Sequence, residues 1–492
     1  MNTKQLRQKI LDLAIRGKLV PQDPNDEPAS VLLERVRTEK ERLIKEGKIK
    51  RDKKDSAVFR GDDKSHYEQL LDGWAWCRLG EICDNVLGKM LDIQKNKGEY
   101  KPYLRNINVR WGNFDLSDLL EMRFEDSEYE RYRVITGDLI ICEGGEPGRC
   151  AVWKNVNLDM RFQKALHRVR PLADISAEYL YFVIWRLAQR NELDGYFTGS
   201  TIKHLTGQSL VLLAIPLPPI AEQHRIVAAI ESAFAVIDEI ERNKTDLQSA
   251  VTAAKSKILS LAIRGKLVPQ DLNDEPASVL LERIRAEREA LIKAGKIKRG
   301  KNENSAVRSC DNSYYDGIPD SWGLCTLDDV GITNIGLTYK PTDICADGVP
   351  VLRSSNIKGC VLDYTDLVRV NTYFSDSLEL NEGDILICAR NGSRHLVGKC
   401  ALIPKITERM TFGAFMAVYR SECSHFIYHF FNSPLFRRIF ESEGISTQIN
   451  QLTQAMIKET IIPLPPLAEQ RRIAIAIEAA FEQLDNISAM LT

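Results

Sequence analysis

Residues 10–37 read ILDLAIRGKLVPQDPNDEPASVLLERVR, and residues 258–285 read ILSLAIRGKLVPQDLNDEPASVLLERIR. The two stretches differ at three of 28 positions: Asp12/Ser260, Pro24/Leu272 and Val36/Ile284. A chain that carries one text twice must build twice whatever that text specifies, so this repeat constrains the architecture more than any other feature. It runs the length of the chain. Gly17 meets Gly265, Trp74 meets Trp322 and Leu104-Arg105 meets Leu352-Arg353, each at an offset of 248. GDLIIC (137–142) meets GDILIC (383–388), and IPLPPIAEQHRI (215–226) meets IPLPPLAEQRRI (462–473). Fidelity is uneven: the helical parts are nearly identical, while the segments between them share scattered anchors.

Those intervening segments mix short apolar runs with turn signals. GDLIIC and GDILIC read as buried strands launched from a Gly-Asp turn, and VLLAIPLPP and TIIPLPP as final strands running into prolines. SAEYLYFVIWRLAQR and SHFIYHFFNSPLFRRIF read as helices. Two compact α/β domains of about 150 residues follow, a usual domain size. At 492 residues the chain exceeds what one core serves.

After PLPP the period changes. Proline followed by Glu-Gln starts a helix. Apolar residues then alternate four and three apart: Ile226, Ile230, Ala233, Ile237, Ile240, then Leu247, Val251, Ala254, Ile258 and Leu261, with Lys244 the interruption. That heptad spacing predicts a coiled coil, and some 40 residues at about 1.5 Å each give a rod of roughly 60 Å. The second copy repeats the seam at Ile473, Ile477, Ala480, Leu484, Ile487 and Leu491, and there the sequence stops. Its continuation stands at the other end, where Leu6, Ile10 and Leu13 match Ala254, Ile258 and Leu261. The expected object is circular and pseudo-two-fold: two α/β domains separated by two long helices packed antiparallel. An amphipathic helix packed within one domain is the alternative.

The remaining totals exclude more than they assign. There is no run of about 18 apolar residues, so no membrane-spanning helix is expected. The start, MNTKQLRQKI, lacks the apolar core of a signal peptide. Eleven cysteines without a Cys-x-x-Cys pair fit a reducing cytoplasm better than a disulfide framework. The net charge of −1 hides basic runs at 48–54 and 296–301, which are either solvated linkers or phosphate contacts. Phosphate-loop, dinucleotide, zinc-protease and nucleophile-elbow motifs are absent. EGGEPG (143–148) reads as a tight surface loop, and His425/His429 as histidines packed among aromatics rather than metal ligands. The chain is expected not to be an enzyme by itself.

Two diverged domains joined by near-identical helices, each headed by Pro-Leu-Pro-Pro-x-Ala-Glu-Gln-x-Arg-Ile, resemble the DNA-specificity subunit of type I restriction-modification systems. LLERIRAEREALIKAGKIKRGK after the central helix adds to the likeness, which spans essentially the whole chain. The resemblance implies a helical segment and basic linker over 1–65, and a first target-recognition domain over 66–218. A long helix with its helical repeat follows over 219–300, then a second recognition domain over 301–465 and a closing helix over 466–492. It further implies that each domain reads one half of a bipartite, asymmetric target in double-stranded DNA. The helices would dock two methyltransferase subunits, and restriction/translocase subunits would join them. No cofactor belongs to this chain on that view; S-adenosylmethionine, ATP and magnesium would sit on the partners.

In the major groove arginine pairs bidentately with guanine, and asparagine or glutamine with adenine. Loops that carry such residues in both copies supply the candidates. In the first domain these are Lys89, Gln94, Lys95, Lys97, Arg105, Asn106, Asn108, Arg149, Arg161 and Gln163, with Lys203 as a phosphate contact. In the second they are Tyr339, Lys340, Arg353, Ser355, Asn356, Arg390, Asn391, Ser393 and Arg394. Arg105 and Arg353, shared by two domains with different targets, suit phosphate or fold roles better than base readout. Two other readings stay open: a coiled-coil scaffold that never binds DNA, and a nuclease or methyltransferase with an unfamiliar active site.

Overall fold

The computed structural model describes residues 2–49, 70–92, 94–155, 157–199, 201–295, 315, 317–442 and 451–491. The chain forms two compact units, 1–243 and 244–492. The division falls at Lys244, the residue that interrupts the heptad pattern. The basic runs lie outside the described residues, apart from Lys48 and Ile49.

The first unit opens with α1 (Thr3–Ile15) and α2 (Ala29–Lys45), then β1 (Ala75–Arg78), β2 (Cys83–Leu87), β3 (Glu99–Leu104) and β4 (Leu120–Phe124). Next come β5 (Leu139–Cys142), β6 (Cys150–Val152), β7 (Arg161–Phe162), β8 (Leu166–Pro171), α3 (Ala177–Gln189) and β9 (Ala214–Leu217). The long helix α4 (Ile220–Ile263) crosses the division. The second unit has α5 (Ala277–Lys293), β10 (Gly323–Thr326), β11 (Ile332–Ile335), β12 (Ile344–Leu352) and β13 (Val368–Val370). It continues with β14 (Ile385–Cys388), β15 (Cys400–Leu402), β16 (Thr411–Phe412), β17 (Met416–Arg420), α6 (Ser424–Phe431) and α7 (Pro434–Ser442). It ends with β18 (Ile461–Leu464) and α8 (Leu467–Met490).

The sheets repeat strand for strand. An antiparallel four-stranded sheet has the order β2-β8-β5-β6 in the first unit and β11-β17-β14-β15 in the second. A smaller sheet of mixed direction, β4-β3-β7 or β13-β12-β16, contains the one parallel pairing of each domain's named strands. A third pair, β1-β9 or β10-β18, ties the tryptophan segment to the strand that enters the prolines. Every residue of Leu139–Cys142 and Ile385–Cys388 is buried, as their unbroken apolar runs require. The Gly-Asp turn before them is a clamp. Buried Asp138 accepts from Arg170 Nε (2.6 Å) and Nη2 (2.8 Å), and Asp384 accepts from Arg420 Nε and Nη2, both at 2.7 Å.

The duplicated text has the same task in each unit. Two residues past the end of α1 stands Gly17, and two past the end of α4 stands Gly265, each in the left-handed conformation that glycine adopts without strain (φ +64° and +66°). Lys18 N–H then closes on the Leu13 carbonyl (2.7 Å) and Lys266 N–H on that of Leu261 (2.9 Å). Past the turn, Asp26 receives Arg225 and Asp274 receives Arg472, each at 2.6 Å. The Glu-Gln of the proline motif locks the joint. The Trp74 indole donates to Glu222 and that of Trp322 to Glu469, both at 3.0 Å, while Gln223 and Gln470 donate back to Pro218 and Pro465 carbonyls at 2.9 Å.

Within each unit the entering and leaving helices run antiparallel. Arg7 on α1 pairs with Asp238 (2.6 Å) far along α4, whereas Asp26, beyond the end of α1, meets Arg225 near the start of α4. Lys255 and Asp485 (2.5 Å), with Asp274 and Arg472, repeat that arrangement in the second unit. Leu11, Ala14 and Ile15 share a buried cluster with Ile226, Ile230, Phe234 and Ile237; Leu259, Ala262 and Ile263 share one with Ile473 and Ile477. The second half of α4 thus holds in one unit the place that α1 holds in the other. The expected stripe of Leu6, Ile10, Leu13 and Ile258 is half-buried, and the fully buried line lies a residue further on, where the helix faces its domain. Val251 is buried and Leu484 half-buried, but Ile240, Leu247 and Ile487 are exposed.

Candidate nucleic-acid interface

Three segments converge at one edge of each unit. The first leaves the central strand of the mixed sheet. Arg105 N–H donates to Asn108 Oδ1 (2.9 Å), and Asn108 Nδ2 donates to the carbonyls of Asp115 (3.0 Å) and Asp118 (2.9 Å). Asn356 makes the same three bonds to Arg353, Asp363 and Asp366 at 2.9, 2.9 and 3.0 Å. The guanidinium groups close the turn by pairing with Asp118 (2.7 Å) and Asp366 (2.9 Å).

The second segment is the loop after the buried strand, and the third is the stretch that crosses it. In the first unit Asn106 Nδ2 donates to the Gly144 carbonyl (2.8 Å) and Arg149 Nη2 to the Asn106 carbonyl (2.9 Å). Leu205 N–H meets the Glu143 carbonyl (2.8 Å), with His204 beside Gly144. In the second unit Asn391 Nδ2 reaches Ser354 Oγ (3.2 Å), Leu452 N–H meets the Ala389 carbonyl (2.7 Å), and Arg390 bridges to Gln451. His167 supports the first cluster from below. Burial pushes its pKa down to about 4, so the ring is neutral and Nε2 donates to the Leu205 carbonyl (3.0 Å).

The candidate residues divide by what already holds them. Lys89 is buried, donating to the Arg123 carbonyl (2.9 Å) and to Glu128 above the Phe124 ring. Arg161 is fully buried, paired with Asp159 (2.7 Å) and stacked on Tyr129 at 4.2 Å. Asn108 and Asn356 are the buried turn clamps, and Arg105 and Arg353 their paired neighbours. All six are engaged in the fold, although Arg161 Nε and Nη2 and the Nε of Arg105 and Arg353 are buried without a hydrogen-bond partner. Arg149 is largely covered and pairs with Glu146 (2.7 Å); Gln163 is half-buried and bridges through its backbone to Lys89. Tyr339 is half-buried against a small apolar cluster.

Exposed side chains remain: Gln94, Lys95 and Lys97 in the loop after β2, and Lys203, paired with Asp194 (2.9 Å). In the second unit Lys340, Ser355, Arg390, Ser393 and Arg394 are exposed. Asn106 in the first unit, and Arg390, Asn391 and Ser393 in the second, lie within the converging segments of their own units, whereas Gln94, Lys95 and Lys97 lie in a separate loop. Sequence reasoning missed His204, Gln451 and Trp111, whose indole donates to Glu146 (2.8 Å). No motif marks them: His204 and Gln451 precede the equivalent Leu205 and Leu452 of the crossing stretch and Trp111 follows the turn after β3, so only the fold sets each beside its loop. Among the described residues no three His, Cys, Asp or Glu side chains are grouped to hold a metal. His429 is buried against Tyr428, ring centroids 5.1 Å apart, and burial holds its pKa down at about 4. Among the described residues no helix is long and apolar enough to cross a membrane.

The repeated frame with its two unlike loop clusters matches a known design. A family model described as the type I restriction modification DNA specificity domain matches residues 72–248 and again 319–490. The chain belongs to the type I restriction-modification DNA specificity family. It is 28% identical to the EcoAI type I restriction enzyme specificity subunit of Escherichia coli, over 99% of this chain and 90% of that one. It is 27% identical to the EcoEI specificity subunit of the same organism, with the same coverage. A chain from a solved structure on complex assembly and conformational transition of the type I R-M system superposes with a TM-score of 0.58 at 19% identity. The superposition covers 86% of this chain and 94% of that one, a likeness of fold. As a member of the specificity family the chain serves DNA sequence specificity and is a non-catalytic subunit. The scaffold and unfamiliar-enzyme readings gain no support.

Proposed function

We propose that each unit reads one half of a bipartite, asymmetric target in double-stranded DNA through its converging loops. One observation carries this reading. The two units share a strand-for-strand frame and the same Asp-Arg, Trp-Glu and Asn-turn clamps, yet hold different side chains where the loops meet. Selection for one common ligand would leave like loops on like frames; two unlike half-sites call for this pattern. The duplicated helices give two equivalent surfaces, suited to two copies of one methyltransferase subunit, with restriction/translocase subunits joining the complex in the cytoplasm. S-adenosylmethionine, ATP and magnesium belong to those partners in this proposal.

The test is adenine-methylation mapping across a genome. Cells carry the methyltransferase subunit with the full chain, without it, or with residues 66–218 replaced. A split motif that needs the chain and loses one half on replacement is expected. Methylation unchanged by the chain, although the methyltransferase subunit binds it, would overturn the proposal.

A further inference from the structure

In both units the loop after the buried strand hangs on the same backbone bonds. Glu143 N–H donates to the Ala165 carbonyl (2.9 Å), and Ala389 N–H to the Phe415 carbonyl (3.0 Å). Leu205 and Leu452 secure the other side of each loop, at 2.8 and 2.7 Å. Superposed on that frame, Gly144 corresponds to Arg390 and Ala165 to Phe415. The first unit therefore projects almost nothing from these two positions, while the second projects a guanidinium and an aromatic ring.

The ring is not there to fill a core. Phe415 is 61% exposed, although its carbonyl is held by two N–H groups, those of Ala389 and Arg390, both at 3.0 Å. A rigid backbone thus presents an apolar ring to solvent at the place where the three segments meet. The Arg390 guanidinium lies 5.6 Å from the ring centroid, within cation–π range. Among the described residues no carboxylate pairs with it, in contrast to Arg105, Arg149, Arg161 and Arg353. A guanidinium resting on an aromatic face keeps its planar edge of N–H donors free and loses less side-chain freedom when that edge is used. The edge matches the O6 and N7 acceptors of guanine in the major groove.

We propose that Arg390 reads a guanine in the half-site taken by the second unit, and that Phe415 is the positioning residue that aims it. This rests on the two-domain reading above. A phosphate contact would need neither the ring nor a fixed edge, since charge alone serves it.

The test uses the full chain with its methyltransferase partner in cells, scored by adenine methylation on a plasmid library randomised across both half-sites. The wild-type complex is expected to prefer guanine at one position of the second half-site. Arg390→Ala should lower that preference about tenfold or more at that position alone. Phe415→Ala should lower it several-fold at the same position, Phe415→Trp should retain it, and the first half-site should be unchanged in all three. Thermal unfolding of Phe415→Ala should match the wild type, which separates aiming from folding. Loss of methylation spread evenly over all sequences would assign Arg390 to phosphate and overturn the proposal. So would a specificity change in Arg390→Ala with none in Phe415→Ala. If replacing residues 66–218 still removes one half of the motif while Arg390→Ala alters no position, this inference fails and the two-domain reading stands. If that replacement alters nothing, the broader reading fails.

Discussion

Replacing Asp384 by alanine removes a carboxylate that is 1% exposed and accepts from Arg420 Nε and Nη2 at 2.7 Å and from the Asn381 N–H at 2.8 Å. A hydrogen bond to a charged group contributes roughly 1.5–3 kcal/mol, and such contributions do not simply add when they share one acceptor. The Arg420 side chain is 29% exposed, so water replaces part of what is lost, although Arg420 also donates to the Glu379 carbonyl (2.8 Å) and stays tethered. The expected cost is about 3 kcal/mol, the lower end for breaking a buried ion pair. Hydrogen exchange of the intact chain reads this locally. Amides of Ile385–Cys388 should exchange on the order of 100-fold faster, while those of Leu139–Cys142 in the first unit keep their protection. Adding Arg420→Met should recover at least about 1 kcal/mol relative to the sum of the single changes, because the orphaned charge is then gone. A cost under about 1 kcal/mol, or strict additivity, would refute the claim that this pair clamps the strand.

Glu222 offers a pH test. Burial raises its pKa above the ordinary 4.5, outweighing the Trp74 hydrogen bond that lowers it. The folded state then holds the proton more tightly than the unfolded chain, so stability falls as pH rises from about 4.5 through the folded pKa. Glu222→Gln keeps an acceptor for the indole and removes that slope. Its melting temperature relative to wild type should climb between pH 4 and pH 8, and a flat difference would count against a buried charge. Gly265→Ala should cost about 2 kcal/mol or more by urea unfolding, from the left-handed backbone (φ +66°) and a Cβ 2.5 Å from Pro319 Cγ. A cost below about 0.5 kcal/mol would mean that the helix end relaxes freely.

Much of the architecture was legible because it was written twice. Offsets near 248 paired Gly17 with Gly265, Trp74 with Trp322 and the two proline motifs, and the structure pairs the elements that carry them. The buried strands after Gly-Asp were legible too, since an apolar run of that length has few other uses. Helix packing was legible only in part. Heptad spacing located the apolar side of the helices, but the line buried in each unit runs through Leu11, Ala14 and Ile15, or Leu259, Ala262 and Ile263. Which flank of an apolar stripe is buried depends on what lies across from it.

The recognition edge shows the same division most sharply. Residue type marked Lys89, Asn108, Arg161 and Asn356 as DNA contacts, because type is what a sequence displays. In the fold these side chains complete turns and pair with neighbours such as Glu128, Asp115, Asp159 and Asp363. No local pattern distinguishes an arginine that closes a loop from one that points outward. That distinction is made by segments about 25 to 60 residues apart: among the described residues Arg390 has no carboxylate partner, lies against the Phe415 ring and bridges through its backbone to Gln451. Two copies of one frame and the helices joining them can be read from the order of the residues, because periodicity and repetition are properties of the linear chain. Only the tertiary structure decided which polar side chains the frame consumes and which it leaves facing solvent, because hydrogen bonds between distant segments settle that question.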